Sequence, residues 1–84
     1  MRPPLSGPPR NPPICLSMVG CGREVRLVAV RAGRGLVQRL ADMGLVPGVE
    51  IRVVSNSGAG PLVVLVKGSR LVLGRGMAHK ILVT

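Results

Sequence analysis

Apolar residues return at helical spacing in one stretch of the chain, residues 35–48. Leu36, Leu40 and Met43 fall at i, i+4 and i+7, Val37 widens that stripe, and Gln38, Arg39 and Asp42 lie on the opposite side. The pattern predicts a helix of about two turns with one buried face. Gly44 stands where a left-handed residue would stop it, and Leu45 can fold back onto Leu40. Pro47 and Gly48 suit the central positions of a type II turn, because proline fixes the first φ and glycine accepts the positive second one. A strand is expected to start at once.

The rest of the chain alternates as short strands do. Residues 16–22 form an entry segment with a turn at Gly20 and Gly22, and Val25, Leu27 and Ala29 then alternate with Arg26, Val28 and Val30 in a first full strand. Residues 31–35 make a basic, glycine-containing loop into the helix. After the helix, Ile51 and Val53 point inward from a strand over 50–54, and the turn formers of 55–60 lead to a second strand over 61–66 with Leu62, Val64 and Val66 inward. A tight turn over 67–69 returns the chain through 70–74, with Leu71 and Leu73 inward. Gly74 and Gly76 break that strand, Met77 and Ala78 can plug one end as a single helical turn, and Ile81 and Val83 face inward from a closing strand.

The elements predict an all-β fold, a small closed or half-closed β-barrel of about five strands with one short inserted helix. In this phase Val28, Val30, Val63, Leu65 and Val72 face outward. Val63, Leu65 and Val72 sit on adjacent strands of one hairpin and can form a contiguous apolar patch of the kind that marks a protein contact. The alternative is a flattened barrel whose second face is covered by the helix or the entry segment.

Composition changes the picture at the start of the chain, where residues 1–13 carry Pro3, Pro4, Pro8, Pro9, Pro12 and Pro13 with Ser6, Gly7 and Asn11. Such a segment neither packs nor pairs as a strand. Residues 1–14 are expected to be a disordered arm and 15–84 one domain. Pro9 and Pro12 satisfy a PxxP spacing with Arg10 between them, open to reading as a polyproline ligand or as an inert extension. The chain is 46% hydrophobic with no Phe, Tyr or Trp, so the core has to be aliphatic. The longest apolar run, residues 62–66, is far below the roughly 18–20 residues of a spanning helix, and no apolar leader region opens the chain. The expectation is a cytoplasmic protein. In that setting Cys15 and Cys21 read as reduced thiols, with a disulfide or a metal site as the alternative.

Twelve Lys and Arg against Glu24, Asp42 and Glu50 give a formal net charge of +9. A protein of this charge is drawn to an acidic surface, whether nucleic acid, anionic membrane or protein. The cations are spread singly through the chain, which favours solvated outer positions over a dedicated nucleic-acid groove. Catalytic material is sparse: a solitary His79, two thiols, scattered serines and three separated acids suggest neither a nucleophile–base pair nor a carboxylate pair. No metal ligand set, cofactor site or phosphate loop is legible. Without aromatic residues, a groove for proline-rich peptides or a stacking platform for single-stranded nucleic acid lacks its main component. What remains is docking through an apolar centre with a charged rim, and the candidate residues are Val63, Leu65 and Val72 with Arg39, Lys67 and Arg70 around them. Asp42, in the last helical turn, opposes the helix dipole and calls for compensation by Arg39 or a strand arginine.

Several strings along residues 16–83 resemble the ferrous iron transport protein A (FeoA) family: Leu16-Ser17 with Gly22, Arg39-Leu40-Ala41-Asp42-Met43-Gly44-Leu45 followed by Pro47-Gly48, Gly60-Pro61, and Arg70-Leu71-Val72-Leu73-Gly74-Arg75-Gly76-Met77-Ala78. The resemblance implies an SH3-like β-barrel with an inserted helix. It also implies a non-enzymatic cytosolic accessory of bacterial ferrous iron uptake that binds the GTPase-bearing cytosolic region of the Feo membrane transporter, touching the membrane only through that partner. Longer members often carry Asp before the hairpin proline, where this chain has Gly60, so no role resting on a carboxylate there transfers. The same small domain also occurs behind metal-dependent transcriptional repressors. The rival reading is accordingly a basic SH3-like barrel associated with nucleic acid or with such a repressor.

Overall fold

A computed structural model describes residues 12–84. Six strands run in the order β1 (Ile14–Cys15), β2 (Glu24–Val30), β3 (Glu50–Ser55), β4 (Leu62–Val66), β5 (Ser69–Leu73) and β6 (Ile81–Val83), with helix α1 (Arg34–Asp42) between β2 and β3 and the single turn α2 (Arg75–Ala78) before β6. They form one antiparallel sheet in the spatial order β1-β6-β2-β3-β4-β5, which curls without the two end strands pairing. The expected all-β, SH3-like architecture is present, with one strand more than the hydrophobic pattern indicates. Ile14, grouped by composition with the arm, pairs with Val83, and Cys15 pairs with Leu82. The expectations for the proline-rich arm, its PxxP spacing included, otherwise fall on or beside residues 1–11, outside the described residues.

The core is aliphatic throughout. Leu27, Leu40, Leu45, Ile51, Val53, Leu62, Val64, Leu73, Ile81 and Val83 are among the side chains removed from solvent, and no polar side chain is buried with them among the described residues. Inward positions of β3, β4 and β6 follow the alternation of the sequence, as does Ala78 in α2. β2 departs from it. The register shifts between Leu27 and Ala29, so that Val30, expected outward, packs against the core. One extra residue in a ladder reverses the faces beyond it.

Helix α1 ends as its sequence demands. Gly44 takes φ +97°, its N–H donates to the Ala41 carbonyl at 2.9 Å, and the Leu45 N–H donates to the Leu40 carbonyl at 2.9 Å. These are the two reversed bonds of a Schellman stop. Val49 N–H then donates to Val46 O at 3.1 Å across Pro47 and Gly48, with Gly48 at φ +93°, which closes the turn into β3. The buried stripe is narrower than the spacing predicts. Leu40 is wholly buried and Leu36 partly so, but Met43 is 40% and Val37 38% exposed. The helix has ended by Met43, and the reversal hands the next inward place to Leu45.

A Cβ on Gly44 would meet Val66 Cγ1 at 3.8 Å, an ordinary contact, so the cost of substitution lies in the backbone. Gly44→Ala is expected to lose about 1–2 kcal/mol, the penalty for an L-residue held left-handed. In a domain of this size that is a fall of roughly 4–16 °C in melting temperature, measurable by far-UV dichroism.

Candidate functional site

The loop between β4 and β5 is the two residues Lys67 and Gly68, with φ +50° and +81°. Positive φ at both central positions is the requirement of a type I′ hairpin, whose twist matches that of its strands. The turn fixes the register: Val66 faces Ser69, Leu65 faces Arg70, Val64 faces Leu71, Val63 faces Val72 and Leu62 faces Leu73. On the other side of β4, Leu65 faces Arg52 and Val63 faces Ser55.

Alternation then sorts these residues by face. Leu62, Val64 and Val66 go to the core. Val63, Leu65, Val72, Arg70 and Arg52 share the outer face, with Val63 and Val72 directly opposed and Leu65 lying between the two arginines. Val72 is 64% exposed, and Val63 and Leu65 are half-buried. Val54, left without a cross-strand partner where the β3 register shifts, is also exposed. Three of the nominated apolar residues are thus brought together, with Arg70 among them and Lys67 at the turn. Arg39 lies exposed in the last turn of α1, outside the β3–β5 ladder that assembles the others.

Asp42 does not find the arginine that its position calls for. Gln38 Nε2 donates to its Oδ1 at 3.0 Å, one helical turn back, while Arg39 offsets the dipole from the same turn. The one ion pair among the described residues is Arg26–Glu50 at 3.0 Å across β2 and β3, exposed on both sides and worth little to stability.

Arg75, which the sequence places among the scattered cations and within the FeoA-like string, has a bonding role that no sequence pattern indicates. Its Nε donates to Gly60 O at 3.1 Å, its Nη1 to Ser17 O at 3.3 Å, and its Nη2 to Asn56 Oδ1. Asn56 in turn donates from Nδ2 to Ser17 O at 3.1 Å and Val19 O at 2.8 Å, and accepts from the Gly58 N–H at 3.1 Å. One guanidinium and one amide therefore tie α2, the β3–β4 loop and the 3-10 turn Leu16–Met18 into a single body. No local pattern announces this, because the carbonyls concerned are distant in sequence.

The remaining reactive side chains stay apart. Cys15 and Cys21 are unbridged, with Cys21 Sγ donating to Val54 O at 3.0 Å. His79 Nδ1 lies 3.4 Å from Ser17 Oγ. Among the described residues no three His, Cys, Asp or Glu side chains gather. A cleft of about 310 Å³ opens between Pro12, Ile14, Val19, Arg23, Val25 and Thr84, and another of about 260 Å³ around the Arg26–Glu50 pair also takes in Glu24, Val25 and Thr84, so two of the three acids that lie apart in sequence share its lining. No described helix is long and apolar enough to cross a membrane.

These features define a small SH3-like β domain whose outer sheet face carries an apolar strip with basic margins. The FeoA domain profile matches residues 14–84. A Methanocaldococcus jannaschii protein provisionally named Fe(2+) transport protein A is 42% identical over 62 residues, 74% of each chain. The crystal structure of an iron uptake regulatory protein (FeoA) superposes with TM-score 0.80 at 34% identity, covering 84% of this chain and 95% of that one. Stenotrophomonas maltophilia FeoA, crystallised with zinc and described as an SH3 domain protein and candidate ferrous iron transport activating factor, gives 0.75 at 28% identity over 84% and 89%. The chain belongs to the FeoA family, a family of ferrous iron transport. A manganese-dependent transcriptional repressor shares the fold alone, at 22% identity and TM-score 0.79, over 90% of this chain and 43% of its own.

Proposed function

We propose that the protein is a non-enzymatic, cytosolic accessory of ferrous iron uptake that acts by docking onto the GTPase-bearing cytosolic region of the ferrous iron transporter. The observation that carries this reading is the outer face of β3–β5, where Val63, Leu65 and Val72 form one apolar strip flanked by Arg52 and Arg70. An apolar centre with a cationic rim suits a protein partner, the centre supplying affinity and the rim speeding encounter. The name of the S. maltophilia relative as a candidate activating factor supports the same direction.

Retention of the protein on the immobilised cytosolic region of the transporter tests this, at two salt concentrations and with duplex DNA as competitor. The expected result is binding that survives moderate salt and excess DNA and falls at least tenfold in Leu65→Asp, a half-buried centre residue. Binding that collapses by orders of magnitude with salt and transfers to the DNA would identify a phosphate binder instead. Absence of retention at either salt would refute the docking.

A further inference from the structure

The sheet ends at β5. Its only ladder is with β4, and the end strands do not join, so one side of β5 has no hydrogen-bonded neighbour among the described residues. Which backbone groups that leaves free follows from the turn. In a two-residue hairpin the flanking residues Val66 and Ser69 exchange both hydrogen bonds, and antiparallel pairs alternate from there between bonded and non-bonded. Ser69, Leu71 and Leu73 therefore turn their N–H and C=O groups toward β4. Arg70 and Val72 turn theirs away, and among the described residues neither takes part in any backbone hydrogen bond outside the ladder. The two residues with free main-chain groups are also those whose side chains lie on the outer face beside Val63 and Leu65.

We propose that this edge of β5 is a strand-addition site for an extended segment of a partner protein carrying an acidic residue opposite Arg70 and an apolar residue opposite Val72. The proposal rests on the docking reading above and names its mode. Two residues with outward main-chain groups offer two donors and two acceptors, which supply main-chain affinity, while alternate side chains of the incoming strand read the outer face. A second copy of this chain is a poor occupant. Antiparallel self-pairing centred on Leu71 would set each Arg70 opposite a valine, leave both guanidinium groups uncompensated and join two chains of net charge +9. An acidic strand places a carboxylate across from Arg70 and keeps Val72 covered, a cross-strand arrangement favourable at both positions.

The test uses two probes on the isotope-labelled full chain. The first is a nine-residue peptide alternating threonine with valine and glutamate, so that valine and glutamate share one face; its control has lysine for glutamate. The second is the transporter's cytosolic region. Slowed amide hydrogen exchange at Arg70 and Val72, with Leu71 unchanged, is expected with the glutamate peptide and absent with the lysine peptide, and Arg70→Glu should reverse that preference. Val72→Pro deletes an outward N–H that β4 does not use, whereas Val72→Ala trims only the side chain. Val72→Pro should bind the transporter region at least tenfold more weakly than Val72→Ala. If the region binds while the Arg70 and Val72 amides exchange unchanged, or if the two variants are equal, strand addition is overturned and docking stands. If the glutamate peptide protects the edge and the transporter region does not bind, the edge is real and the choice of transporter fails. If neither peptide alters exchange at the edge and the region does not bind, both proposals fall. The exchange measurement needs no substitution, so a misfolded proline variant leaves the decision intact.

Discussion

Leu40→Ala is expected to cost about 2–5 kcal/mol, the range for truncating a buried leucine to alanine. Leu40 is wholly buried, and it is also the residue on which the helix stop closes, since its carbonyl receives the Leu45 N–H at 2.9 Å and Leu45 is itself buried. The substitution leaves the backbone bond in place and removes the side chain against which helix and turn settle. At roughly 0.05–0.15 kcal/mol per residue, a domain of about 70 residues has roughly 4–11 kcal/mol in all. The loss is a large fraction of that, and the melting temperature should fall by roughly 4–8 °C for each kcal/mol. Denaturant titration measures it directly; a midpoint shift worth less than about 1 kcal/mol would mean that the site collapses around the smaller side chain.

Arg75→Ala is expected to cost about 2–3 kcal/mol, because three hydrogen bonds from a charged group vanish together and the Gly60 carbonyl loses its donor. Asn56 and Ser17 keep part of their bonding through each other, which caps the loss. Two readouts mark the mechanism. Exchange of the Gly58 amide, which is held by Asn56 Oδ1, should quicken as the loop loosens. The stability difference should also be indifferent to salt, since the guanidinium bonds carbonyls and an amide, not a carboxylate. Arg75→Lys should rescue little, because an ammonium group cannot reach three acceptors arranged around a planar fork. A salt-sensitive loss, or full rescue by lysine, would point to simple charge in place of the fork.

These two residues show what was legible in the sequence and what was not. The Leu40 environment was, because its determinants are local: Gly44 forces the stop, Leu45 follows it, and Pro47-Gly48 turns the chain into β3. The hairpin face was legible for the same reason, since the Lys67-Gly68 turn sets the register that puts Val63 against Val72. Arg75 was not, because its acceptors at Gly60 and Ser17 lie 15 and 58 residues away and are main-chain atoms of no distinctive type. β1 escaped notice because two residues show no period, and Val30 because a bulge is invisible to strict alternation. Met43 fits the helical stripe in sequence, yet the helix ends before it could be buried. Charge alone assigns Asp42 an arginine partner, whereas in the structure the Gln38 amide one turn back bonds it. Charge groups Arg39 with the hairpin residues, but where a helix sits against a sheet is a tertiary fact that no local spacing encodes.

A core packed only from aliphatic side chains, in a chain with no Phe, Tyr or Trp at all, has an optical consequence. The protein is silent at 280 nm and has no intrinsic fluorescence. Any change in tryptophan emission on mixing it with another protein therefore originates in that other protein, and the titration reports the conformation of the partner without a label on either.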